Sequence, residues 1–61
     1  MIKFIDMEQE ERQRRIKTRD FKNVDFEEAD LSGVDLKEVH LAFSNLARAD
    51  LRYANLKGTK F

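Results

Sequence analysis

Residue types that perform catalysis or hold metals are scarce in this 61-residue sequence, and their spacing narrows what they can do. There is no Cys, hence no disulfide framework and no thiolate metal site, and His40 is the single histidine. A lone imidazole without carboxylates arranged around it reads as a tolerated substitution rather than a base or a ligand. No Ser/His/Asp set, glycine-rich phosphate loop or paired-carboxylate cleft can be picked out. An enzyme is not expected, and neither a cofactor nor a metal is assigned. Charge, by contrast, is plentiful: 39% of the residues are charged, twelve of each sign. Zero net charge removes the bulk electrostatic argument for direct nucleic-acid or anionic-membrane binding, so partners must be sought in local patches.

Those patches exist. Residues 20–38 carry seven acidic and two basic side chains, net −5; residues 39–61 carry four basic and one acidic, net +3; residues 1–19 carry six basic and four acidic, net +2. The apolar cluster Met1–Ile5 is interrupted by Lys3 and ends at Asp6, far short of a signal-peptide core or a membrane span. A soluble, cytoplasmic chain is the expectation.

The elements that must position these residues follow from a period of five. Phe21, Phe26, Leu31, Leu36, Leu41, Leu46, Leu51, Leu56 and Phe61 are nine consecutive hits in one phase, in a chain with only eleven Leu plus Phe. Chance produces such a run roughly once in a million. Two residues before each of the last eight lies a small or β-branched residue: Val24, Ala29, Val34, Val39, Ser44, Ala49, Ala54, Thr59. Immediately before each large residue stands a short hydrogen-bonding side chain in most units, as in Asp20, Asp25, Asp30, Asp35, Asn45, Asp50 and Asn55, with His40 in the same series. A period of five fits neither a helix at 3.6 nor a strand at 2, so the chain must turn once per unit. Alternation in the extended piece then points the large residue and the small one two before it inward together. The product is an all-β solenoid whose stacked coils pair their backbones.

The units Ala29-Asp30-Leu31-Ser32-Gly33, Ala49-Asp50-Leu51-Arg52-Tyr53 and Ala54-Asn55-Leu56-Lys57-Gly58 resemble the A(D/N)LXX repeat of pentapeptide-repeat proteins. The resemblance spans about Asp20 to Phe61. It implies a right-handed quadrilateral β-helix with four repeats per coil, so that residues twenty apart stack. Residues 20–61 then make about two coils, a stack only about 10 Å tall. Solenoids need covers at both ends, and the last coil, with Leu46, Leu51, Leu56 and Phe61, has none of its own. The expected cover is a protein partner, a second copy end to end about a two-fold axis being the simplest.

Residues 1–19 are expected to form a charged helical or extended cap. Asp6 with Gln9 resembles a capping box, and Met7 to about Lys17 contains good helix formers, with Glu8/Arg12, Glu10/Arg14 and Glu11/Arg15 spaced for ion pairs. Its apolar face is thin, Met7 and Ile16, so it sits on the first coil through few contacts or stands free. Ile16 lies in phase with the repeat, but Arg14 and Arg19 at the small-residue positions argue against an earlier coil. Met1, Ile2, Phe4 and Ile5 read as a strand or an anchor.

Two readings of the charges remain open. In one, stacked coils attract each other, with Glu28 above Arg48 and Asp30 near Arg52, at under about 1 kcal/mol per exposed pair. In the other, Glu27 and Glu28 belong to a carboxylate surface that imitates a phosphate backbone and binds a basic groove. Some pentapeptide-repeat proteins resemble duplex DNA and bind DNA-handling enzymes such as gyrase; this chain is shorter, neutral overall and basic in its second coil. Phe43 and Tyr53 occupy outward positions, where aromatics are tolerated, and with Ala42 and Ala47 could mark a partner surface. The expectation is therefore a non-enzymatic interaction or assembly module that self-associates through Leu56 and Phe61. A DNA mimic that inhibits a topoisomerase, or a piece of a longer repeat protein, are the alternatives.

Overall fold

A computed structural model describes all 61 residues. Turning occurs after each large residue of the five-residue ladder. From Phe26 to Leu56 its carbonyl accepts the N–H three positions on, as from Ala29 to Phe26 (3.0 Å), Val39 to Leu36 (3.0 Å) and Ala49 to Leu46 (3.0 Å). The third residue of each turn has positive φ, as a type II turn requires: Asn23, Glu28, Gly33, Glu38, Phe43, Arg48, Tyr53 and Gly58. The short polar residue at the corner caps the turn from outside. Asp20, Asp25, Asp35, Asn45 and Asn55 each accept the N–H two residues ahead through Oδ1. At the His40 corner Nδ1 takes this role, facing the Ala42 N–H at 3.4 Å.

Turned every five residues, the chain returns to its starting side after twenty. Single parallel bridges join Asp20 to His40, Asp25 to Asn45, Asp30 to Asp50, Asp35 to Asn55 and His40 to Lys60. Each is built alike: the Leu36 N–H donates to Asn55 O at 2.9 Å, and the Asn55 N–H donates to Val34 O at 3.1 Å. Continuous strand is confined to β1 (Ile2–Lys3) and β2 (Val24–Asp25), which pair in parallel. Corners five residues apart leave too little extended chain for longer strands.

The interior holds Phe21, Val24, Phe26, Leu36, Val39 and Leu41, together with Met7 from the N-terminal segment. The ladder does not stay buried along its whole length. Leu31, Leu46 and Leu51 are half-buried, and Leu56 (37%), Val34 (38%) and Phe61 (67%) are exposed. Burial requires a cover on each side: the last coil has a neighbour on one side only, and the N-terminal segment leaves Leu31 and Val34 of the first coil partly open.

The N-terminal segment caps the first coil, by different means from those the sequence suggested. The Asp6–Gln9 capping box does not form: Asp6 closes a short 3-10 helix, Phe4–Asp6, and the helix α1 spans Gln9–Thr18 with Glu8 at its N-cap, making no side-chain cap bond. With Glu8 outside the helix its spacing to Arg12 loses meaning, and Arg12 Nη1 donates instead to Met7 O at 2.8 Å. Arg14 pairs with Glu11 rather than Glu10, and Glu11 also holds Arg15 at 3.0 Å. No residue of α1 is buried. The cap seats itself through Phe4, whose ring centroid lies 5.7 Å from that of Phe21 and 5.6 Å from that of Phe26. β1 sets Ile2 opposite Val24, twenty-two residues away, so it is not another turn of the repeat.

Candidate functional site

A coil whose interior is packed leaves three kinds of surface for function: its sides, its last coil and its first coil. On the sides, the acidic and basic coils meet. Arg48 reaches down to Glu27 and to Glu28 (3.7 Å), so the guanidinium crosses the carboxylate face that phosphate imitation would need free. Arg52 lies near enough to Asp30 for the two charges to act on each other, as the charge pattern suggested, but makes no ion pair with it. It folds back on Asp50 of its own repeat, Nη2 to Oδ2 at 2.8 Å and Nε to Oδ1 at 3.0 Å, since two fork-like bonds to one carboxylate outweigh a longer reach between coils. These bonds, with the Arg52 N–H, hold the Asp50 carboxyl below its usual range and raise the Arg52 guanidinium. The Asp30 carboxyl is lowered by the Ser32 hydroxyl (2.6 Å) and then by the Ser32 N–H (3.0 Å).

Phe43 and Tyr53 stand almost free in solvent, 78% and 93% exposed, each at the positive-φ position of its turn. Ten residues is half of a twenty-residue coil, so the two rings lie on opposite sides and do not form one patch with Ala42 and Ala47. Leu56 and Phe61 do belong to one surface, the end of the shaft. Nine N–H groups, from Phe21 to Leu41, donate to carbonyls nineteen residues later. Their counterparts one coil on, including Leu46, Arg48, Leu51, Tyr53, Leu56 and Gly58, donate to nothing in the chain. This end combines open apolar side chains with a row of free donors.

Two features escaped sequence reasoning. Ser44, read as one of the small inward residues, uses its hydroxyl: the Val24 N–H donates to Ser44 Oγ at 3.0 Å, and Oγ donates to Phe21 O at 2.6 Å. It thereby bridges the one turn of the ladder that does not close directly. Arg15 replaces a missing coil. By the nineteen-residue rule, Asp20 O and Lys22 O would be bonded by a preceding coil; Arg15 Nη1 donates to both, at 3.2 and 3.0 Å. Arg19 Nη1 does the same for Lys37 O at 3.0 Å. A basic residue at the end of a helix gives no sequence sign of which carbonyl it will find.

A stack of short coils with a filled interior, corner-capped every five residues, defines a repeat solenoid of the β-helix type, whose usable surface is its outside and its ends. Residues 29–61 match the profile of pentapeptide repeats (8 copies), more than half of the chain, and the protein belongs to that family. The repeats suggest a protein-interaction module. No curated protein and no solved structure matches the chain. No helix is long and apolar enough to cross a membrane.

Proposed function

We propose that this protein is a non-enzymatic, cytoplasmic interaction module that works through the end of its last coil, and that the 61-residue chain covers this end with a second copy of itself. The coil is taken as right-handed and four-sided. Four corners per twenty residues support the shape, and parallel backbones joined by a crossover favour that hand. The observation that carries the reading is the coincidence, at residues 46–61, of open Leu and Phe side chains with unpaired N–H donors. Two such ends brought together about a two-fold axis bury the apolar shaft of each and supply acceptors from the other. Exposed apolar side chains beside a row of unpaired backbone donors suit a protein surface better than a small substrate, which supports a binding role over a catalytic one.

Sedimentation equilibrium tests it. The expected mass is twice that of the chain, falling to the monomer value on Leu56→Lys or Phe61→Lys, both at exposed positions that a folded monomer tolerates. A wild-type monomer at tens of micromolar, or a dimer indifferent to both substitutions, removes the proposal.

A further inference from the structure

Where coil meets coil inside the chain, the hydrogen bonds are uneven in direction. Eight N–H groups of the first coil, two per repeat from Phe21 to Glu38, donate to the second, and four carbonyls, those of Val24, Ala29, Val34 and Val39, accept from it. At the open end the same positions one coil on are free: the N–H groups of every ladder and positive-φ residue from Phe43 to Phe61, eight in all, against the four carbonyls of Ser44, Ala49, Ala54 and Thr59. A two-fold axis sets like against like. At one bond per carbonyl, half of the donors in a tail-to-tail pair therefore find no protein acceptor, whatever the rotation about the shaft. Burying an N–H without an acceptor is costly. Charge at this end leans the same way. Arg48 is held by Glu27 and Glu28, and Arg52 by Asp50, so the unpaired cations of the last coil are Lys57 and Lys60, and no acidic side chain of that coil is left over. Glu38, whose N–H bonds Lys57 O from the coil beneath, makes no ion pair with either lysine. Both lysines are exposed and lie in sequence among the free N–H groups of Leu56, Gly58 and Phe61. Two such ends repel at low salt.

We propose that small oxyanions of the phosphate and sulfate type occupy the junction between the two copies and strengthen their association. This rests on the tail-to-tail reading and adds to it the class of ligand that the junction takes. The donor excess and the unpaired lysines select that ligand jointly. Water accepts from free N–H groups but leaves the lysine charges opposed. A tetrahedral oxyanion brings several acceptor oxygens and more than one negative charge, so a single ion meets N–H groups and lysines of both copies at once. On the open end of a monomer, where water reaches each donor, the same ion is held less well. An ion held better by the pair than by the single chain shifts the equilibrium toward the pair by mass action.

The test is sedimentation equilibrium of the full chain at one ionic strength, set either with sodium chloride alone or with about 10 mM sodium sulfate replacing part of it. The expected dissociation constant of the dimer is about tenfold lower in sulfate. Sulfate also strengthens apolar burial in general, so the double variant Lys57→Gln, Lys60→Gln serves as the control. Both side chains are exposed, and the variant keeps the fold. It should pair more tightly than the wild type in chloride, because the repulsion is gone, and respond to sulfate by less than about twofold. A wild-type dimer of equal strength in both salts, its donors served by water, overturns the proposal, as does a double variant that responds to sulfate as fully as the wild type. In either case self-association itself stands. A chain that stays monomeric in both salts removes the tail-to-tail reading and the junction with it.

Discussion

At the scale of single residues the controlling demand is backbone conformation at the third residue of each turn. Eight positions there have positive φ, and only Gly33 and Gly58 adopt it without steric cost. The two glycines differ in surroundings. A Cβ on Gly33 would meet nothing within 4 Å, whereas one on Gly58 would come within 3.1 Å of Glu38 Cγ in the coil beneath. Gly33→Ala should therefore cost about 1 kcal/mol, the left-handed penalty alone. Gly58→Ala should cost a few tenths more, as Glu38 must shift to a second rotamer. Urea midpoints of the two variants check this, and an equal or reversed order would show that the stacked turn yields freely. This demand is invisible in the sequence, because Asn, Glu, Phe, Arg and Tyr all occupy the position and share no chemical property. The corner residues were legible for the opposite reason: an acceptor two residues before an N–H has one local use, and Asp, Asn and even His40 serve it. Side-chain pairing between coils was legible in part, since Glu28 and Arg48 stack twenty apart as expected, while Arg52 satisfies itself within its own repeat.

At the scale of elements, the five-residue ladder could be read because periodicity averages over nine units and survives exceptions at any one. The N-terminal segment offers no such averaging. Its helix was visible from helix formers and charge spacing, but what fastens it was not, because Phe4 and Arg15 act on partners more than fifteen and about five residues away, with no repeat to announce them. The structure assigns unequal weights to neighbouring arginines of α1. Arg14 makes an exposed pair with Glu11, worth under about 0.5 kcal/mol. Arg15 satisfies two first-coil carbonyls and is only 22% exposed. Arg15→Met, which keeps the apolar stem, should cost about 1–2 kcal/mol, and Arg14→Met a few tenths. For a domain of this size the first lowers the melting temperature by roughly 5–10 °C and the second by a degree or two. Equal shifts would mean that helical ion pairs, not carbonyl capping, keep the N-terminal segment in place.

At the scale of the whole molecule the deficit is burial. Seven of 61 residues are buried and the accessible surface is 4509 Å², against roughly 4,100 Å² expected for a compact monomer of this mass. The missing burial is spread over both ends and the sides: Ile5, Ile16, Phe43, Tyr53 and Phe61 are each more than half exposed. The two ends are not equivalent. Stacking the last coil of one copy on the first coil of the next would require the space already held by β1 and Phe4, so head-to-tail growth into a fibre is blocked. Tail-to-tail contact is not, and it closes at two copies. In the proposed dimer, dissociation is coupled to unfolding, and stability is expected to depend on protein concentration. A tenfold rise in protein strengthens a dimer by about 1.4 kcal/mol, which over the unfolding entropy of two chains raises the melting temperature by about 5 °C. Leu56→Lys should melt lower and show no such dependence. A wild-type melting temperature constant from about 5 to 500 μM would falsify coupled assembly and leave two short coils standing on their own packing.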